Sequence, residues 1–468
     1  MSVLEVLFYY GVLLLGGILV FTALGHIVFQ KRSSGSMISW MLFIVFMPYI
    51  AAPLYFLIGI RKRDPQKHKG YLSLTRPEVF EPYLIDDEEH AIANILKKNG
   101  IPPATKANRF ELITRDTVAY EMMIGAIKDA KTEIAICTYV FAYDPMTEEM
   151  LAHLTTKAQE GVKVRLLIDV IGSLKVYLNQ KGFNALRDAG GEVVFFSPLL
   201  QHPFQSYINL RNHRKIYLFD CRVVLSGGMN LSNEYMGRAD GTKRWKDLLY
   251  RLEGPAVHYF RTIFNSDWAY ATGEKIEETE VLETDRGFEG ESFVQVVPSG
   301  PDIPKDALYE ALLNAIYSAK ERIWIVTPYF VPDENIVQAL IIAQHKGVDV
   351  KLITPRVSNH LIADLVRSPY MRELEEVGVD VVLYEGEMLH GKALLVDSVG
   401  GMVGSLNLDN RSLFLNYEVV TFVYSPVFID ELELWMKMLM QHAGRGLTPA
   451  GKLREAVENM MKVVAPLI

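Results

Sequence analysis

Residues 212–220 read "NHRKIYLFD", and residues 389–397 read "LHGKALLVD". Each sets a histidine and a lysine two apart ahead of a short apolar run and closes it with an aspartate: His213, Lys215 and Asp220, then His390, Lys392 and Asp397. One such H-x-K-x4-D spacing arises by chance in roughly a few per cent of chains this long, so two copies need a common cause. Each copy also leads on to a glycine–asparagine turn, "LSGGMN" ending at Asn230 and "VGSLN" ending at Asn407.

Working outward, the same order of elements surrounds both copies. "TEIAICTYVFAYDP" (132–145), "GVKVRLLID" (161–169) and "GGEVVFF" (190–196) read as strands separated by amphipathic helical runs. They recur as "ERIWIVTPYFVPDE", "GVDVKLITP" and "GVDVVLY", offset by 189, 186 and 188 residues. Strand–helix alternation predicts an α/β fold. A repeat of this length predicts two homologous halves, packed about a pseudo-two-fold axis that brings equivalent strand ends together. The halves are expected at 107–275 and 276–468, behind a linker at 61–106.

Half of the 468 residues are hydrophobic and the mean hydropathy is +0.12, an excess that sits at the front. Residues 3–29 carry only Glu5 and His26 as ionisable side chains, and 37–60 is uncharged. Each run is long enough to cross about 30 Å of hydrocarbon, with Pro48 and Pro53 tolerated as kinks, which predicts a two-helix transmembrane hairpin over 1–60. A cleaved signal peptide fits poorly, since no basic segment precedes the first run. Lys31 and Arg32 follow the first span; Arg61, Lys62, Arg63, Lys67 and Lys69 follow the second. The stronger cluster belongs in the cytoplasm, so the catalytic part of this multi-pass protein is expected there, against anionic headgroups. A net charge of −8 argues against a nucleic-acid partner. The two cysteines, Cys137 and Cys221, read as buried thiols of a reducing compartment.

Alternation along a strand puts His213 with Lys215, and His390 with Lys392, on one face; Arg214 and Gly391 point away. Asp220 and Asp397 have the opposite parity and read as anchors at the strand ends. Two histidines and two lysines converging across an axis suit a phosphodiester. The ammonium groups stabilise charge building on phosphorus, and Asn230 and Asn407 donate further hydrogen bonds. Close imidazoles titrate apart, leaving one as nucleophile and the other as acid. Asp247 in "RWKDLLY" and Glu418 in "NYEVV", each about 30 residues after its own half's histidine, are candidates to fix the tautomers. No metal-binding spacing is present and no cofactor is required. His360 is a candidate to flank the pocket, and "LREAVENMMKVVAPLI" to form an amphipathic helix packed on the protein.

The duplicated H-x-K-x4-D motifs, each followed by G-[GS]-x-N, resemble the phospholipase D superfamily. "INLRNHRKIYLFD", "LSGGMNLSNEYMG", "TPYFVPD", "GSLNLDNRSLFLNYEVV" and the membrane run "PYIAAPLYFLIG" are similar to bacterial cardiolipin synthases within it. The resemblance covers essentially the whole chain. It implies two mixed-sheet halves and a metal-free phosphatidyl transfer between two phosphatidylglycerol molecules through a phosphatidyl-histidine, at the bacterial inner membrane. It also implies that His213, Lys215, Asp220, His390, Lys392 and Asp397 form the catalytic sets. Asn230, Asn407 and Ser405 would lie on substrate, and Asp247 and Glu418 would orient the histidines. His213 is favoured as nucleophile. Gly228 stands where the second half has Ser405, so the half-sites need not be equivalent. A hydrolase yielding phosphatidic acid, a transferase with another headgroup, a nuclease-like phosphodiesterase and a scaffold with decayed catalytic residues are the alternatives.

Overall fold

The apolar strands of both halves join one sheet. In the computed structural model, which describes residues 2–29, 34–59, 71–78, 80, 82, 91–197, 209–276 and 290–464, it has 15 strands. Three helices come first, α1 (Val3–Val28), α2 (Ser34–Phe46) and α3 (Pro48–Ile58), then a short α4 (Ala91–Lys98). The first half runs β1 (Thr105–Ile113), α5 (Asp116–Asp129), β2 (Glu133–Thr138), α6 (Pro145–Gln159), β3 (Lys163–Asp169), α7 (Leu174–Leu178), α8 (Asn184–Asp188) and β4 (Glu192–Phe196). It ends with β5 (Ile216–Phe219), β6 (Val223–Gly227), β7 (Leu249–Glu253) and α9 (Val257–Thr272). The second half follows with β8 (Ser292–Ser299), α10 (Ala307–Ser318), β9 (Arg322–Val326), β10 (Phe330–Val331), α11 (Glu334–His345), β11 (Asp349–Pro355), α12 (Leu361–Glu376) and β12 (Asp380–Tyr384). It closes with β13 (Ala393–Val396), β14 (Gly400–Gly404), β15 (Leu408–Asp409), α13 (Asn410–Phe414), β16 (Glu418–Val423), α14 (Pro426–Gln441), β17 (Ala443–Arg445) and α15 (Lys452–Val464).

From the centre outward, the first half reads β1-β7-β6-β5-β2-β3-β4 and the second β8-β16-β14-β13-β9-β11-β12, with β17 added at the edge. The orders correspond strand for strand, and β1 meets β8 antiparallel, as a two-fold requires. Within each half three strands are parallel and the rest antiparallel. The parallel ones are buried on both faces, which explains their unbroken apolar runs. The expected pair of α/β halves is therefore present.

The opening motif departs from its reading in one respect. The ladder begins only at Ile216 and Ala393, so each histidine and lysine lies in an extended segment ahead of its strand. Those segments cross to the other half. Asn212 bridges Tyr417, and Leu389 bridges Lys246. Asp220 and Asp397 end the strands in left-handed backbone, φ 52° and 48°, a conformation aspartate tolerates better than most residues. Cys137 is buried, but Cys221 sits half-buried in the turn beside Asp220.

The second apolar run is not one kinked helix. The backbone breaks at Met47 (φ −136°, ψ 59°), and Pro48, with no N–H to leave unsatisfied, starts α3. Of the described helices only α1 is long and apolar enough to cross a membrane. Tyr49 Oη donates to Val12 O at 2.8 Å, while Tyr55 Oη lies 2.8 Å from His26 Nδ1. Contacts in ascending order on both helices mean that α3 runs parallel to α1. The α2–α3 pair thus dips along α1 and returns to its C-terminal end. The two basic runs, including Lys31, Arg32, Arg61, Lys62, Arg63, Lys67 and Lys69, lie outside the described residues. Helix α15 packs on α12 through Arg372–Glu458 and Lys462–Glu373 pairs, both 2.8 Å, and also touches α2.

Candidate active site

The crossing segments put His213 and His390 on the wall of one cavity of about 340 Å³. Backbone bonds lock each crossing: His213 N donates to Tyr417 O (2.9 Å) and His390 N to Lys246 O (2.7 Å). Register then carries the next residue of each partner strand under the imidazole. His213 Nδ1 lies 3.0 Å from the Glu418 carboxylate, and His390 Nδ1 lies 2.7 Å from Asp247 Oδ2. Each orienting carboxylate therefore comes from the opposite half. The sequence pairing of Asp247 with His213 and Glu418 with His390 is corrected, because the histidines leave their own half before the ladder starts.

Both carboxylates are fully buried, and both imidazoles nearly so. Lys215 Nζ donates to His213 O at 2.8 Å; Lys392 Nζ bonds His390 O and lies 4.0 Å from Asp247. Burial pushes the Lys215 ammonium down to about 7 and that of Lys392 to about 8. Burial likewise lowers both imidazoles; Lys392 and Lys215 add to it at His390, whereas Glu418 offsets part of the fall at His213. Burial lifts Asp247 to about 6. Burial would also raise Glu418, but His213 beside it brings that carboxyl below its ordinary value.

The remaining expected residues divide. Asn230 and Asn407 line the cavity, and so does His360. Ser405 does not face it: its hydroxyl bonds Glu418 and its Oγ accepts from Val419 N at 3.0 Å, so it braces a carboxylate instead of meeting substrate. Asp220 accepts from the N–H groups of Lys131, Thr132 and Glu133 at 2.7–3.1 Å, and Asp397 from Lys320, Glu321 and Arg322. Both hold the start of a neighbouring strand, far from the imidazoles at the other end of β5 or β13. They anchor, and the catalytic role implied for them gives way to a structural one. Several wall residues were not singled out from sequence. Tyr139 packs edge-on to His213 (4.9 Å), Tyr235 and Trp245 pack on His390 (5.2 and 5.3 Å), and Tyr329, Asp409, Arg411 and Asn416 also line the cavity. The "NLDNRS" run that follows Asn407 was the available signal for Arg411.

A family profile described as "Cardiolipin synthase, PLD-like domain" matches residues 123–268 and 312–440, and a "Phospholipase_D-nuclease N-terminal" profile matches 18–59. The chain belongs to the PLD-like cardiolipin synthase family. A cardiolipin synthase of Alkalihalophilus pseudofirmus is 32% identical over 87% of this chain and 83% of its own. Cardiolipin synthase 1 of Bacillus cereus is 28% identical over 94% and 91%. The crystal structure of phosphatidylserine synthase from Haemophilus influenzae shares the fold, with a TM-score of 0.60 at 16% identity, over 80% of this chain and 97% of that one. The chain thus carries two PLD-like units behind a segment matched by the N-terminal profile, and it is an enzyme of phospholipid chemistry.

Proposed function

We propose that this protein condenses two phosphatidylglycerol molecules into cardiolipin and glycerol at the cytoplasmic face of a bacterial inner membrane. The observation that carries the reading is the pair of carboxylate-backed imidazoles, one from each half, opening into a single cavity with both lysines behind them. Relatives named cardiolipin synthase over most of the chain support the substrate class. Nε2 of His213 attacks phosphorus, with Nδ1 held by the ionised Glu418. The bond to the glycerol oxygen breaks, and that oxygen takes a proton from His390. The primary hydroxyl of a second lipid then attacks, giving its proton to His390 as the phosphorus–nitrogen bond breaks. Lys215, Lys392, Asn230 and Asn407 stabilise the five-coordinate phosphorus.

Exposed apolar side chains at the cavity rim support docking on a bilayer. Ile171 and Val357 each lie two residues beyond β3 or β11, and Val357, Leu361 and Ile362 are 72%, 75% and 59% exposed. Asn359 and His360, within the same stretch, reach the cavity.

Detergent-purified protein given labelled phosphatidylglycerol in EDTA should yield cardiolipin and glycerol. Phosphatidic acid as the sole product, or loss of turnover in EDTA, would sink the reading. His213→Ala and His390→Ala should each abolish condensation, with acid-labile phosphorus trapped on the His390→Ala protein and none on His213→Ala.

A further inference from the structure

The two cavity walls differ in kind, although the halves repeat. On the first-half side the lining is largely aromatic, with Tyr235 and Trp245, and the Asn230 side-chain oxygen is already taken by Val140 N at 3.1 Å. On the second-half side, the corresponding oxygen of Asn407 has no partner. Neither has the Asn416 side-chain oxygen nor the Ser412 hydroxyl, and all three residues are more than nine-tenths buried. Arg411 stands among them. Its guanidinium donates to the side chain and carbonyl of Asn209, at 2.5 and 2.6 Å; among the described residues it forms no ion pair, and Asp409 on the same wall acts on it only at longer range. Among the described residues lining the cavity it is the one lysine or arginine. Glu234 occupies the equivalent position in the first half, an acid where the second half has a base.

A guanidinium with no direct ion pair beside orphaned buried polar atoms is costly unless a ligand completes it. We propose that Arg411, Ser412, Asn407 and Asn416 form a subsite for the acceptor lipid's own phosphodiester and glycerol headgroup. The guanidinium and the Ser412 hydroxyl take phosphate oxygens, and the two amide oxygens accept glycerol hydroxyls. The subsite rests on the condensation reading above, and explains how a second anionic lipid is held while the first is bonded to histidine. Free glycerol, which carries no phosphate, needs no guanidinium.

The test compares two reactions of one enzyme: condensation of phosphatidylglycerol, and exchange of its headgroup with labelled free glycerol. Both pass through the same histidine adduct, and only the first uses an anionic acceptor. Arg411→Gln should lower condensation at least about tenfold further than exchange, through a raised acceptor KM, since a charge-assisted phosphate contact is lost. Arg411→Lys, which keeps the charge and a donor for Asn209, should recover part of that ratio. A ratio equal to wild type in both variants, whether both reactions fall together or neither falls, overturns the subsite. Wild-type protein that makes no cardiolipin would instead overturn the reaction itself.

Discussion

Gly228 and Ser405 hold equivalent places behind the two orienting carboxylates, and their difference is steric. A Cβ at position 228 would lie 2.1 Å from Asp247 Oδ1, whereas Ser405 bonds the longer Glu418. Each half therefore matches a small residue to a short acid, or a serine to a long one. Gly228→Ala should displace Asp247 from His390 and cut turnover about a hundredfold, with the fold retained by circular dichroism. The lysines set the pH response. Lys215 loses its proton at about 7 and Lys392 at about 8, so kcat/KM should fall as pH rises through that range. Without substrate, stability moves the other way. The unfolded chain keeps both lysines protonated to about 10.5, so it binds more protons than the folded state above pH 7. Their contribution to stability should accordingly rise between about pH 7 and 10, read as a Tm gained in detergent.

At the scale of elements, the second apolar run shows what a hydropathy pattern leaves open. Its length suits one span, but its two arms of 13 and 11 residues are each too short to cross. Proline at 48 and the Tyr49 and Tyr55 contacts fold them back along α1. With α3 returning to the C-terminal end of α1, this arrangement predicts that the N-terminal end of α1 and the catalytic part lie on opposite sides of a membrane. Cysteine at Ser2 should react with an impermeant maleimide on intact cells, and cysteine at Gly35 or Ser73 only after permeabilisation. Ser2 and Ser73 labelling from one side would restore the two-span hairpin. The anchoring of Asp220 and Asp397 belongs to this scale too. Parity along the motif already turned them from the histidine face, and the capped strand starts supply the reason.

Across the whole molecule, one side chain joins the halves behind the site. Arg214, fully buried, bonds Asp267 (2.7 Å) in α9, Asp302 (3.1 Å) beyond β8 and the Glu418 carbonyl (3.1 Å). Its counterpart, Gly391, has no room for a side chain because Trp435 lies 2.7 Å from where a Cβ would sit. Arg214→Ala removes a cation bonded to two buried acids and should cost about 3–5 kcal/mol, measured as a lowered Tm in detergent. Turnover should fall with it, since Glu418 loses the arginine held against its own backbone.

The sequence by itself determined the duplication and the α/β class, and it named the two histidines and two asparagines that line the cavity, because strand period and motif spacing are local and were written twice. It also separated the strand-end aspartates from the reacting face by parity alone. Only the tertiary structure decided which carboxylate serves which histidine, that Ser405 braces Glu418, and that Arg411 lines the cavity. Those facts depend on segments leaving one half to pair with the other, and residues 143 and 205 apart in the chain become neighbours through backbone register that no local pattern encodes.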